Sequence, residues 1–70
     1  MSNLTPDLAE VMRNALDEVM TKVPSEYSTP AIKAYLAERI LKTAVQGRIS
    51  RNELVAAAAD QIQVAITLFS

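Results

Sequence analysis

QGRISRNEL, residues 46 to 54, holds the chain's only glycine, with a serine three positions after it and a glutamate three positions after that. Gly47 can take the positive φ that closes a helix C-terminus without a Cβ clash, and Arg48 follows where the chain turns away. Ser50 and Glu53 have capping-box spacing: the serine oxygen accepts the Glu53 amide, and the glutamate side chain reaches back to the Ser50 amide. Ile49 and Leu54 flank the box as a hydrophobic staple. The stretch therefore ends one helix and starts another. A helix-turn-helix that reads DNA needs donors for bases and phosphates on its second helix. After Asn52 and Glu53 this chain runs LVAAAADQIQVAITLF, without a lysine or arginine. The turn reverses the chain and is not read as a base-contacting element.

Two further start signals lie upstream. Thr5-Pro6 and Thr29-Pro30 each place a capping hydroxyl before a proline whose missing N–H costs nothing at the first helical position. In the first helix Leu8, Met12, Ala15, Leu16, Val19 and Val23 recur at spacings of three and four, opposite Glu10, Arg13, Asn14, Asp17, Glu18 and Thr21. Arg13 with Asp17, Glu18 with Lys22 and Glu38 with Lys42 stand four apart and are expected to pair. Pro24 stops the first helix, and PSEYST, residues 24 to 29, is the linker. The second helix carries a wide apolar face of Ile32, Leu36, Ala37, Ile40, Leu41, Ala44 and Val45. The expected architecture is an all-α, three-helix single domain over residues 1–70, with helices at about 6–23, 30–46 and 51–68.

Composition narrows the function. Half of the 70 residues are hydrophobic, but only Tyr27, Tyr35 and Phe69 are aromatic, so the core is aliphatic. A chain this short buries only about 60% of its unfolded surface. It has no cysteine and no histidine, which removes disulfides and the usual soft-ligand zinc sites. No cofactor or metal is expected. Helix packing or self-association must supply what those staples would have given. MSNLTPDLAE, residues 1 to 10, shows no secretory pattern, which points to the cytoplasm. Leu54 to Phe69 is interrupted by Asp60, Gln61 and Gln63 and falls short of the roughly 20 apolar residues of a membrane span.

Catalysis is not expected. A serine or threonine hydroxyl without a poised base is inert, and Glu10 and Asp17 on a wet helix face have no reason to depart from ordinary acidity. A single glycine makes no phosphate-cradling loop.

The third helix is too apolar for one buried side. Leu54, Ala58, Ile62, Ala65, Ile66 and Phe69 form one stripe, and Ala57, Val64 and Leu68 a second, so the apolar arc is about twice the roughly 100° of a surface helix. Either this helix lies between the other two in a monomeric bundle or its second stripe packs against a symmetry mate; the expectation is the latter, a helical homodimer whose interface includes Ala57, Val64, Leu68 and Phe69, with a larger protein as a further partner. The alternative uses charge. Residues 1–32 carry a net −3, residues 33–51 a net +4 and the remainder −2, for the total of −1. Lys33, Arg39, Lys42, Arg48 and Arg51 in the basic segment are the candidate contacts for a nucleic acid or another anionic partner. Arg48 and Arg51 flank a helix N-terminus that favours anions, and Tyr35 beside Arg39 suggests a stacking platform.

ALDEV, at residues 15–19, and AYLAERILKTAVQGRISRNEL, at 34–54, resemble segments of short helical proteins of alphaproteobacteria for which no activity is established. The resemblance covers about two thirds of the chain. It implies a bacterial, cytoplasmic setting and assigns no binding residue.

Overall fold

The computed structural model describes residues 6 to 69, and every regular element among them is helical. Helix α1 spans Pro6–Thr21, α2 Pro30–Val45, α3 Arg51–Ala59 and α4 Ile62–Phe69. The capping role expected of Thr5 lies outside the described residues. The molecule is elongated, 43 × 18 × 17 Å.

α1 ends two residues earlier than its apolar pattern suggests. The Lys22 amide bonds to the Val19 carbonyl (2.9 Å) and the Val23 amide to that of Met20 (3.2 Å). These i to i−3 bonds tighten the last turn before Pro24, which bars further helix. Val23 still reaches the core, at 6% exposure. The linker contains a single 3-10 turn, Ser25–Tyr27. Thr29 then caps α2 as its sequence predicts, its hydroxyl accepting the Ile32 amide at 3.3 Å.

The turn at 46–50 ends one helix and caps the next, as its residues predict. Gly47 has φ +98°, and a Cβ there would meet nothing within 4 Å, so glycine is required by the backbone and not by crowding. The Arg48 amide bonds to the Thr43 carbonyl (3.3 Å) and the Gly47 amide to that of Ala44 (2.9 Å), the paired bonds of a Schellman closure. The Ser50 hydroxyl accepts the Glu53 amide at 3.2 Å. Its own proton goes to Glu53 Oε1, also at 3.2 Å. The glutamate thus closes the box on the serine side chain, and not on its amide as expected. The staple is loose, because Leu54 is fully buried while Ile49 is 51% exposed.

The expected third helix, 51–68, is two helices. The Asp60 amide still bonds to Ala56, but the Gln61 amide turns to Ala58 at 2.9 Å, one residue short of the α register. Regular bonding resumes with the Ala65 amide on the Gln61 carbonyl. Asp60 stays in the right-handed region, with φ −63° and ψ −20°. No glycine or proline stands near the break, so nothing local enforces it. What marks the place is tertiary: the Tyr35 hydroxyl of α2 donates to Gln61 Oε1 at 3.0 Å.

The core lies between α1, α2 and α3. Ala15 and Val19 from α1, Ile32, Leu36 and Ile40 from α2, and Leu54 and Ala58 from α3 are all at or below 1% exposure, and Ala65 of α4 joins them. Thr43 is the one buried polar residue among those described, and its hydroxyl is satisfied by the Arg39 carbonyl one turn back (2.9 Å). α3 packs on both α1 and α2, whereas α4 packs mainly on α2. No helix of the described residues is long and apolar enough to cross a membrane.

Candidate interaction surface

α4 carries no charge, and its apolar residues divide between two sides. Ala65 is buried, and Ile62 and Ile66 pack half-buried against the core. Phe69 lies edge-on to Tyr35, ring centres 6.1 Å apart at 71°, and is still 50% exposed. Tyr35 thus holds α4 at both ends, by its hydroxyl at Gln61 and its ring at Phe69.

The second stripe faces outward. Val64 is 43% and Leu68 61% exposed. They follow one another at helical spacing and, with the open side of Phe69, make an apolar surface at the end of the chain. Ala57 is set apart from them: it sits on α3, before the break, and is half-buried. The helix break therefore separates one of the four expected interface residues from the other three.

The basic residues are not gathered on one surface. Arg51 Nη2 meets Glu18 Oε1 at 2.7 Å, joining the start of α3 to α1. That contact replaces the expected Glu18 pairing with Lys22, and it puts a carboxylate where an anion at the α3 N-terminus would need the arginine. Lys42 pairs with Glu38 at 3.7 Å, as its spacing predicts. Arg13 and Asp17 form no ion pair. Arg39 is half-buried, with its Nε shielded from solvent and unpartnered. Arg48 is exposed on the turn. Lys33 lines a shallow cleft of about 560 Å³ with Asp17, Met20, Thr21, Ser28, Thr29 and Pro30, where the nearby carboxylate offsets its charge. Among the described residues no three acidic side chains gather as a metal site would require.

Two further features of the surface lie on or beside α2. The first is a groove of about 250 Å³ between α1 and α2, lined by Met12, Arg13, Leu16, Ala37 and Ile40. The second lies on the outer side of α2, where Leu41 is 51% and Val45 78% exposed. The sequence places both residues on the buried face. The structure buries Ile32, Leu36, Ile40 and Thr43, packs Tyr35 and Ala44 partly against the core, and leaves Leu41 and Val45 on the opposite side. Their spacing from Ala34, which is also exposed, could have shown this: positions 34, 41 and 45 fall on one side of a helix and 32, 36, 40 and 43 on another.

No family model, curated protein or solved structure matches the chain.

Proposed function

We propose that this chain is a helical association module that acts as a homodimer through the outer side of α4, without catalysis. The observation that carries this reading is the exposure of Val64, Leu68 and Phe69 together on a helix with no charged residue. Isolated exposed apolar residues are common on monomers, but a contiguous apolar surface is a mark of an interface. A C2 pairing places the same patch of two copies face to face. The size of the chain argues the same way, because a core this small supplies only about 3–5 kcal/mol and association adds to it. The proposed setting is the bacterial cytoplasm, which rests on the sequence resemblance.

Leu68→Glu tests the reading. The side chain is 61% exposed in the single chain, so the fold of one copy should tolerate the carboxylate. In a dimer the same carboxylate would be buried without a partner, at a cost of several kcal/mol. Light scattering after size exclusion should show the mass halved while the helical circular dichroism signal stays the same. An unchanged dimeric mass would move the interface away from α4.

A further inference from the structure

The outer side of α2 is chemically unlike that of α4. Ala34, Glu38, Leu41, Lys42 and Val45 are all exposed and form one continuous ridge at spacings of three and four. Glu38 and Lys42 border the apolar residues and face the same way, close enough to pair at 3.7 Å within one helix. We infer that this ridge is a second contact surface, that its occupant is the α2 ridge of another copy, and that the two run antiparallel.

Two observations single out that occupant. The first is charge. A surface bordered by one acid and one base attracts neither a uniformly acidic nor a uniformly basic partner. Reversed by a two-fold axis, it matches itself: Glu38 comes opposite the partner's Lys42, and Lys42 opposite the partner's Glu38. The second is size. In the antiparallel register that brings these charges together, Val45 lies over the partner's Ala34, large against small, and Leu41 lies over the aliphatic stem of the partner's Glu38.

This goes beyond the α4 dimer and does not depend on it. The two surfaces adjoin where Phe69 lines a depression with Ala34 and Glu38 of the ridge, and Leu41, Lys42 and Val45 lie outside that depression. Two isologous surfaces on one protomer join dimers to one another. A single helix ridge buries less than the roughly 1,200 Å² of a standard interface, so the second step is the weaker one. Because its register comes from exposed charges, it is also the step that salt weakens.

Charge reversal tests the inference with substitutions that leave the core alone. In low salt, the mass of the wild-type chain should climb above that of a dimer as concentration rises from micromolar to millimolar. Glu38→Lys alone, or Lys42→Glu alone, puts like charges opposite each other, and each variant should stop at the dimer. An equal mixture of the two variants restores opposite charges at both places and should regain the wild-type mass, as should the double variant Glu38→Lys/Lys42→Glu by itself. Loss of the internal Glu38–Lys42 pair cannot imitate this result, because the mixture lacks that pair as well. The inference is overturned if the single variants climb as the wild type does, or if the mixture is no heavier than its components. Leu68→Glu separates the two surfaces: in that variant the ridge should still bring two copies together at high concentration, and adding Glu38→Lys should leave a monomer. If Leu68→Glu changes nothing while charge reversal dissociates the chain, the α4 reading fails and the ridge stands.

Discussion

α3 and α4 follow one another in the chain, and the fold treats them in opposite ways. α3, nine residues long, is wedged between α1 and α2, with Leu54 and Ala58 at 0% exposure. α4, eight residues long and more apolar, buries Ala65 on α2 and shows Val64, Leu68 and half of Phe69 to solvent. Hydrophobic residues do not place themselves; the elements available to cover them do. α3 has two neighbours and is core. α4 has one, and its remaining apolar surface is free for association. An isolated helix of eight residues is unstable in water, so α4 depends on α2, or on a partner, for its existence.

The contrast predicts a ranking of effects. Leu54→Ala should be the most damaging change, at about 2–5 kcal/mol, because it opens a cavity where three helices meet. The removal of a comparable apolar side chain from α4 by Leu68→Ala should cost the fold of one chain within about 0.5 kcal/mol. Urea denaturation of the two variants measures the difference, and equal losses would mean that α4 is as much a part of the core as α3.

Next come the two positions that fix where α3 begins. Gly47→Val should destabilise by about 1 kcal/mol or more, since a β-branched residue resists positive φ. No loss would show that Gly47 does not hold the φ of +98° on which the reversal depends. Ser50→Ala removes the bond to the Glu53 amide and should cost about 1 kcal/mol, within a range of roughly 0.5–2. A shift in the urea midpoint smaller than the fitting error would contradict the cap.

Tyr35→Phe is the mildest change and the most local. It deletes the hydroxyl that bonds Gln61 and keeps the ring that meets Phe69, for about 0.5–1.5 kcal/mol. Amide exchange should quicken in α4 and at the 60–61 break, and stay as it was in α3. Equal quickening in both helices would mean that they open as one unit and that the break divides nothing.

The two ends of α3 also explain which parts of the structure were legible in the sequence. A reversal needs positive φ and a capped helix start, so it is written in residue types, and Gly47, Ser50 and Glu53 spell it. The break at Asp60 and Gln61 keeps a right-handed backbone and only shifts one hydrogen bond from i−4 to i−3, a conformation that any residue adopts. Its visible tie is Tyr35, 26 residues away, which no local pattern reveals. The Glu18–Arg51 pair spans 33 residues and was hidden for the same reason. The outward apolar residues of α4 were legible because the arc was too wide for one neighbour. Those of α2 were read as part of one wide apolar face, although the helical spacing of 34, 41 and 45 already separates them from 32, 36, 40 and 43.

The most direct test of the account is the mass of the purified chain in solution. Multi-angle light scattering at low micromolar concentration should give about twice the 7.6 kDa of one chain for the wild type, and a single chain's mass for Leu68→Glu. A wild-type mass of 7.6 kDa throughout the micromolar range would contradict it, and would leave the open side of α4 as the ordinary surface of a small monomer.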